Sequence, residues 1–497
     1  MNLYGGKLMK RKISFLLALG ILLTTAFSCG DTDSSTDTTA QSGSTSAAET
    51  TESVESLLGF PAEDNGGTTF TMLINTTKSF EYVADEITGD VVNDAVYEKQ
   101  KAVEDYLGIS FEFVQEDGNW NTRDTFNNLI ISDVMAGTGD FDLVQGITVC
   151  TMPISVEGYF LDGKSLPYVQ FDKPWWVADM YDRFSVAGKL YGFIGDASLS
   201  LYKDMTVIFF NKRIWDEYNA PDPYELVRSG EWTLDKFIEV CSGMERDLNG
   251  DGKIEMGTDQ LTYLYEIVPS GTFQTSLQLD VVTLDENGIP QYLGLTEKFV
   301  DAFDTMQNFL KQDGIGQASF IDDQSFKSML AFSEGNVATM CNFLYSTEYL
   351  RDMTDDYGIV PMPKYDENQE KYITQLGTST AMLFVPITTK DAELTSKVME
   401  ALAYYTSELV VPKYYEVALK DKYARDNDIA EMLDIIRDGA SFDFLFLYGT
   451  TLTKAPNNYF RFYTTDTANV ASDFAALENS FLASLESLVE KYEGLDN

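Results

Sequence analysis

The spacing of apolar residues alternates between two periods after residue 68. Residues 69–74 have the short apolar pattern of a β-strand, which ends at a polar turn that begins at Asn75. Apolar positions over 92–107 then recur on one helical face and stop at Gly108, and residues 109–114 again have a strand pattern. This order predicts a strand–helix–strand unit.

The same alternation continues along the chain. A helix is predicted over 126–135 and a strand over 141–145, and the apolar run 205–210 is typical of a strand buried on both faces. Further helices are predicted over 234–244, 299–310 and 470–492, the last packing against a second lobe. The alternation predicts an α/β fold. Ligands of such sheets bind beyond the carboxyl ends of strands, so the turns after residues 74 and 145 are candidate site loops.

The N-terminal segment has the layout of an export signal. Basic residues at 7–12 precede an apolar run over 13–27, which is shorter than the roughly 20 residues that span a bilayer. Residues 26–29 resemble the lipobox of bacterial lipoproteins, in which the cysteine, here Cys29, is acylated with a fatty acid such as palmitate. The alternative is an ordinary secretory signal with a chance cysteine.

The segment after Cys29 consists mainly of Ser, Thr, Ala, Asp and Glu and contains no Lys or Arg up to residue 56. Such a composition cannot bury enough apolar surface to fold. We therefore predict a signal peptide over 1–28 and a lipidated cysteine with a disordered tether over 29–67. The folded part is then held on the extracellular face of the cell membrane.

Composition excludes several classes of function. The formal net charge of -44 disfavours nucleic acid and polyanionic substrates, because the summed field repels phosphate. The sequence contains no histidine, so Ser-His-Asp and Cys-His catalysis and histidine metal sites are excluded. Cys150, Cys241 and Cys341 are interpreted as small buried hydrophobes, with the oxidation of one pair left open.

One acidic loop has the spacing of a calcium site. Oxygen-bearing side chains occupy alternate positions around a glycine turn, and position seven offers a backbone carbonyl, so the predicted ligands are Asp247, Asn249, Asp251, Lys253 and Glu255. Thr258 stands where an EF-hand has glutamate, so the bidentate ligand is unassigned. The alternative is a polar turn that binds nothing. If calcium binds, we expect a structural role.

Aromatic residues make up 13% of the chain and offer flat faces that stack on sugar rings. Trp175 and Trp176 follow Lys173-Pro174 and are the best candidates near a loop, and Trp232 is a further candidate. For each of them, packing in the core is the alternative. The many acidic residues do not reveal a glycosidase pair, because two such carboxylates meet only in three dimensions.

Several segments together resemble one family. They are GKLYGF at 188–193, VIFFNK at 207–212, DP at 222–223, WTLDKF at 232–237, FSEGNVATM at 332–340, YGIVPMP at 357–363 and FVP at 384–386 followed by a helical pattern over 391–407. In this order and with the calcium-like loop, they resemble the extracellular solute-binding proteins of family 1, the lipoprotein receptors of sugar-type ABC importers. The likeness spans about residues 68–440.

The resemblance implies a two-lobed, type II periplasmic-binding-protein fold with a ligand cleft between lobes joined by a hinge. Lobe 1 would comprise 68–204 plus 375–410, and lobe 2 would comprise 205–374 plus 411–497. By similarity, the cleft would be lined by Asn75, Thr76, Gln145, Gly146, Asp204, Asn342 and Tyr345. The acidic loop is similar to a structural calcium site of some relatives.

The expected function is capture of a carbohydrate by hinge closure and its delivery to an ABC permease, with an oligosaccharide as the expected ligand and no chemistry performed. We expect a monomer that touches the membrane only through its lipid and binds no nucleic acid. Two alternatives remain: an extracellular glycan-acting enzyme that uses carboxylates, and a surface sugar-binding protein without a transporter.

Overall fold

The structure is a computed structural model and describes residues 52–266, 271–318, 324–415, 427–449, 451–452 and 470–495. The predicted signal peptide, the lipidation site at Cys29 and the first part of the predicted tether lie outside the described residues. No helix in these described ranges is both long and apolar enough to cross a membrane.

The described strands are β1 (Thr68–Asn75), β2 (Ile109–Glu116), β3 (Leu143–Ile147), β4 (Thr206–Asn211), β5 (Leu261–Glu266), β6 (Val282–Leu284), β7 (Pro290–Tyr292), β8 (Ile315–Ala318), β9 (Val337–Phe343), β10 (Tyr357–Pro361), β11 (Thr374–Gln375), β12 (Ala381–Phe384) and β13 (Ala440–Ser441).

The described α-helices are α1 (Val54–Leu58), α2 (Val91–Leu107), α3 (Arg123–Ala136), α4 (Thr148–Thr151), α5 (Ala178–Tyr181), α6 (Ser200–Lys203), α7 (Lys212–Glu217), α8 (Pro223–Ser229), α9 (Leu234–Val240), α10 (Phe273–Ser276), α11 (Glu297–Leu310), α12 (Gln324–Ser333), α13 (Ala392–Tyr405), α14 (Asn427–Asp438), α15 (Phe444–Tyr448) and α16 (Val470–Glu493). Short 3₁₀ segments cover Thr76–Glu81, Met152–Glu157, Gly163–Ser165 and Leu344–Glu348, and a π-helix covers Thr406–Val410.

The folded body begins earlier than the predicted end of the tether at residue 67. Helix α1 is capped by Ser53, whose side chain accepts a hydrogen bond from the Ser56 amide. Leu58 and Phe60 are buried in the core, and the Tyr106 hydroxyl donates to the Phe60 carbonyl at 2.7 Å. Two large apolar side chains at the end of the polar segment therefore anchor it to the body, which corrects the prediction.

The first sheet has the strand order β12-β3-β1-β2. Strands β1, β2 and β3 are parallel, as the strand–helix–strand pattern predicted, whereas β12 pairs antiparallel with β3. Helix α2 covers this sheet; its N-cap is Asp90 and it ends at Gly108 in the left-handed conformation, with φ 59°. The parallel order brings the carboxyl ends of β1, β2 and β3 to one edge.

The second sheet has the order β10-β4-β9-β5-β8. Strands β5, β8 and β9 are parallel, and β4 runs antiparallel to β9, so that Thr206 at the start of β4 pairs with Phe343 at the end of β9. All residues of β4 and β9 are buried, which explains their continuous apolar character. The carboxyl ends of β5, β8 and β9 and the start of β4 therefore share one edge.

Two chain segments cross side by side between the sheets. Met205 forms an isolated antiparallel bridge with Leu376, and the Gly377 amide donates to the Asp204 carbonyl at 2.8 Å. The first sheet uses strands before residue 148 and after 380, and the second uses strands between 206 and 361. The predicted two-lobed α/β fold is thus confirmed.

The C-terminal helix α16 packs against the second lobe, as predicted, and also contacts the first lobe. Its Phe474 and Phe481 rings lie about 6 Å from Tyr292 of β7. At its other end, the Tyr492 hydroxyl lies 2.8 Å from both Ser155 Oγ and the Tyr448 hydroxyl. This buried hydroxyl chain ties the helix to the first lobe.

The three described cysteines, Cys150, Cys241 and Cys341, are free thiols in buried positions. Burial raises the pKa of each thiol, which disfavours the reactive thiolate. The interpretation of these residues as small buried hydrophobes is confirmed.

Candidate functional site

The edge of the first sheet presents a polar network at the ends of β1 and β3. The backbone amide of Asn75 donates to Gln145 Oε1 at 3.0 Å, and the side-chain oxygen Asn75 Oδ1 accepts from the backbone amide of Thr77 at 3.1 Å. Asn75 Nδ2 is buried and has no hydrogen-bond partner. Thr76 is exposed at the start of the following 3₁₀ turn. Asn75 therefore carries a buried donor at this edge that no described group satisfies.

Gly146 follows Gln145 in β3, and its role is one of packing. A Cβ at this position would lie 2.3 Å from Thr151 Oγ1, so only glycine permits the close approach of α4. The structure therefore places Gly146 beneath the polar edge, as backbone support for Gln145.

The edge of the second sheet combines amides and aromatic rings. Asn342 is buried, and its Oδ1 accepts from the Phe343 amide at 2.8 Å. The half-buried Tyr345 ring lies 5.8 Å from the Phe343 ring. Thr206 Oγ1, at the same edge, is buried without a partner. Polar and aromatic groups in this mixture are suited to hydroxyl-rich ligands.

Asp204 joins the two edges. Its Oδ2 accepts from Lys78 Nζ at 3.0 Å and from Ser379 Oγ at 3.0 Å, so the turn after β1 and both crossing segments meet at one carboxylate. Burial raises the pKa of Tyr345, and the negative charges of Glu266 and Asp204 raise it further. Asp204 therefore joins the turn after β1 to the crossing segments that lead into β4.

Close packing at the crossing depends on Gly377. A Cβ on this residue would lie 3.0 Å from Phe343 Cε1 and 3.2 Å from Asp204 Cβ. The glycine lets the second crossing pass directly beside the aromatic edge of the second lobe.

Trp120 lies at the carboxyl edge of the first sheet, beyond β2, and was not predicted as a site residue. Its side chain is 52% exposed, and the Arg123 guanidinium lies 4.4 Å from the ring centroid on one face. The preceding Asn119 accepts a hydrogen bond from Thr77 Oγ1 at 3.3 Å, which fixes this loop beside the β1 turn. Its place in the loop that follows the predicted strand 109–114 was the available signal in the sequence.

Trp175 and Trp176, predicted to line the cleft, lie in the core. Their indole N–H groups donate to the Glu400 carboxylate at 2.9 and 2.8 Å. The backbone amide of Gln170 donates to the same carboxylate at 3.0 Å. Burial raises the pKa of Glu400 to about 7, although these donors oppose the shift. Both rings thus pack as structural groups, because their polar atoms are satisfied by an internal partner.

Trp232 is also fully buried, and its indole N–H donates to the Pro361 carbonyl at 2.8 Å. Its ring packs edge-on against Phe237 at 5.8 Å. The structure therefore places none of the three predicted tryptophans in the cleft.

A pocket of about 230 Å³ opens near the first crossing segment. It lies between the 3₁₀ segment after β1, the start of α2 and residues 348–351. An ion pair of 2.7 Å between Lys203 and Glu348 forms part of its wall and bridges the two lobes. Lys203 also lies 4.7 Å above the Phe80 ring. The pocket is small for a drug-sized ligand.

The acidic loop is curled by its own side chains. Asp247 accepts from the Gly250 and Gly252 amides at 2.6 and 2.8 Å, and Asp259 accepts from the Leu248 and Glu255 amides at 2.9 and 3.0 Å. The alternate oxygen side chains share one loop, as calcium requires. However, within the described ranges no three His, Cys, Asp or Glu residues converge on a possible metal position. The calcium site stays a prediction.

No family model matches the sequence, and no curated protein matches it. Solved structures with a similar fold include the galacto-N-biose/lacto-N-biose I-binding protein of the ABC transporter from Bifidobacterium longum, in complex with lacto-N-biose. Its TM-score is 0.55 at 14% identity, over 86% of this chain and 99% of that chain.

Two further structures are similar. The cyclic α-maltosyl-1,6-maltose binding protein from Arthrobacter globiformis has a TM-score of 0.54 at 14% identity, over 85% of this chain and 100% of that chain. A cyclo/maltodextrin-binding protein complexed with maltotetraose has a TM-score of 0.51 at 15% identity, over 87% of this chain and 100% of that chain.

The class defined by this fold is the two-lobed, type II periplasmic-binding-protein class. The structural neighbours are sugar-binding proteins, among them solute-binding proteins of ABC transporters. These structures confirm the predicted two-lobed, type II periplasmic-binding-protein fold.

Proposed function

We propose that this chain is a substrate-binding receptor of an ABC importer that captures a carbohydrate between its two lobes. The observation that carries the proposal is the meeting of two polar strand edges at Asp204, beside the crossing segments. Asn75 Nδ2 and Thr206 Oγ1 are buried hydrogen-bonding groups without an internal partner there, and Tyr345 and Trp120 supply aromatic faces. Sugars are recognised by this combination of polar pairing and stacking.

The ligand is proposed to be an oligosaccharide. Trp120 lies in the loop that is bonded to the β1 turn of the first lobe, and Tyr345 lies beside Phe343 of the second lobe, so each lobe contributes an aromatic ring. Distributed rings suit a chain of several sugar units better than one unit. Closure of the lobes around the ligand would bury it and present the loaded form to a membrane permease.

The chain is proposed to work at the extracellular face of the membrane, attached through lipid on Cys29. The lipobox-like segment and the polar residues after it support this placement. A Cys29→Ala variant should bind ligand as the wild type does but be released from the cell. Retention of this variant on the membrane would contradict the anchor.

Calcium is proposed as a structural ion of the acidic loop. Asp247, Asn249, Asp251 and Glu255 would supply side-chain oxygens, and Lys253 would supply its carbonyl. The ion would stabilise the curled loop and perform no chemistry in the cleft.

A thermal-shift screen against a glycan panel tests the receptor proposal. The panel should contain maltose, maltotetraose, lacto-N-biose and the oligosaccharides of common plant polysaccharides. Binding to the folded state raises the melting temperature by mass action, so at least one glycan should give a concentration-dependent increase. The absence of any shift across the panel would contradict carbohydrate binding.

A further inference from the structure

The buried carboxylate of Glu81 is at the centre of the polar network behind the first-lobe edge. Its Oε2 accepts from Gln145 Nε2 at 2.6 Å, and its Oε1 accepts from the Ser200 amide at 2.6 Å. The residue is 1% exposed. Burying a carboxylate is costly unless it is paired and hydrogen-bonded, so a structural or functional reason is needed for its presence.

One lysine compensates the charge of Glu81, and a second lysine bonds to the Glu81 backbone. The positive charge of Lys78 acts on the Glu81 carboxylate and opposes the rise in its pKa caused by burial. Lys99 is buried as well, and its Nζ donates to the Glu81 carbonyl at 2.5 Å. Burial lowers the pKa of Lys99 to about 7, while Glu81 opposes this shift.

Each group that donates to Glu81 is bonded in turn to residues at the polar edge or the crossing. Gln145 Oε1 accepts from the backbone amide of Asn75, which leaves the Asn75 side chain at the polar edge. Ser200 begins α6, which ends next to Asp204, and its Oγ accepts from the Ala381 amide at 3.0 Å at the start of β12. One carboxylate therefore connects β1, β3, α6 and β12.

We propose that Glu81 is a positioning residue for ligand binding, which holds Asn75, Gln145 and the Asp204 crossing in a single binding geometry. This inference rests on the proposed function. Glu81 itself does not touch the ligand, because it lies behind Gln145 and is enclosed. Glu81 accepts a hydrogen bond from Gln145 Nε2 and so fixes the orientation of the Gln145 side-chain amide. Glu81 affects affinity through this orientation.

The Glu81→Gln variant tests this role with little change in volume. Its amide presents one oxygen and one NH₂ group to two donors, so one donor loses its acceptor. If the side-chain amide of Gln145 rotates to recover a hydrogen bond with residue 81, Gln145 Oε1 no longer accepts from the backbone amide of Asn75. The matched control is Glu112→Gln, which alters an exposed glutamate of the same lobe on β2.

Amide hydrogen exchange of the ligand-free full chain is the primary measurement. In Glu81→Gln, exchange at one of the two backbone amides, Asn75 or Ser200, should accelerate by about tenfold, because one donor loses its acceptor. Glu112→Gln should leave both rates unchanged. Unchanged exchange at both Asn75 and Ser200 in folded Glu81→Gln would overturn the proposal.

Gln145→Met serves as a second variant in case Glu81→Gln does not fold. It removes the bond to Asn75 but leaves the bond between Glu81 and the Ser200 amide. Exchange should accelerate at Asn75 and stay unchanged at Ser200. Equal protection of Asn75 in this variant and in the wild type would also overturn the proposal.

Affinity for maltotetraose and lacto-N-biose separates a positioning role from a purely structural one. At temperatures well below the unfolding transition, Glu81→Gln should bind the recognised probe at least tenfold more weakly than Glu112→Gln. Unchanged affinity together with a lowered melting temperature would assign Glu81 to stability alone. If the wild type binds neither probe and no other panel glycan, the receptor proposal fails, while the exchange data still decide whether Glu81 orders the edge.

Discussion

Lys78 Nζ and Asp204 Oδ2 lie 3.0 Å apart, and this ion pair connects the turn after β1 to the first crossing segment. The side chains are 10% and 5% exposed, so the pair is largely removed from solvent. A partner lost from such a pair leaves an uncompensated charge in a poorly solvated site. The pair therefore stabilises the junction at which the two lobes meet.

Lys78→Met should lower the free energy of unfolding by about 3 kcal/mol, because Asp204 is left buried without its cation. Urea unfolding monitored by tryptophan fluorescence measures this. The control is Lys101→Met, which breaks a pair with Glu104 whose lysine is 47% exposed, and it should cost less than about 1 kcal/mol. Equal effects of the two variants would contradict a special role for the buried pair.

Trp120→Ala should weaken carbohydrate binding by about three- to tenfold, which corresponds to the loss of one stacked ring. Its melting temperature should stay within about 1 °C of the wild type, because the ring is exposed. Trp175→Phe is the matched control and should show the opposite pattern, since it removes a core hydrogen bond to Glu400. Calorimetric titration and thermal unfolding provide the two readings. Unaltered affinity in Trp120→Ala would show that this ring does not contact the ligand.

The stability of the protein should depend on pH through Glu400. Its folded pKa is about 7 against an ordinary value of 4.5, so the folded state holds the proton more tightly. The stability from this group is fully present below pH 4.5 and is lost as the pH rises through about 7. In Glu400→Gln, the decrease in unfolding free energy between pH 5 and pH 8 should be smaller than in the wild type and in Glu112→Gln. An identical pH dependence in all three proteins would show that Glu400 does not titrate in this range.

Chelation of calcium should lower the melting temperature, and added calcium should restore it, because the ion would bind only the curled loop. Asp251→Asn should reduce this response. Asp285→Asn, in the turn of the β6–β7 hairpin, removes a charge from a similar exposed turn without the calcium spacing and should respond as the wild type does. A melting temperature that is insensitive to chelator in the wild type would argue that the loop holds no calcium.

Local patterns predicted much of the fold because they depend on neighbouring residues. The apolar spacing over 92–107 and the glycine at 108 located α2 to within one residue, and the run at 205–210 located β4. The end of the tether was placed too late, because Leu58 and Phe60 are only two buried apolar residues in a mainly polar segment and form no periodic pattern. Their burial depends on partners, such as Tyr106, that are distant in the sequence.

The site was harder to predict for the same reason. The family resemblance pointed to the loops after β1 and β3, yet the pairing of Glu81 with Gln145 joins residues 64 positions apart and has no local signature. Trp175 and Trp176 looked like loop residues after Lys173-Pro174, but their environment is set by Glu400, more than 220 positions away. Burial of a ring depends on such long-range partners, which apolar spacing does not reveal.

The decisive experiment is isothermal titration of the purified chain with the glycan that gives the largest thermal shift, followed by chromatography of the mixture. A receptor should bind one glycan per chain, and the glycan should be recovered intact after prolonged incubation. Release of shortened products would contradict the receptor and favour an enzyme that uses carboxylates. No heat of binding with any panel glycan would contradict a carbohydrate receptor altogether.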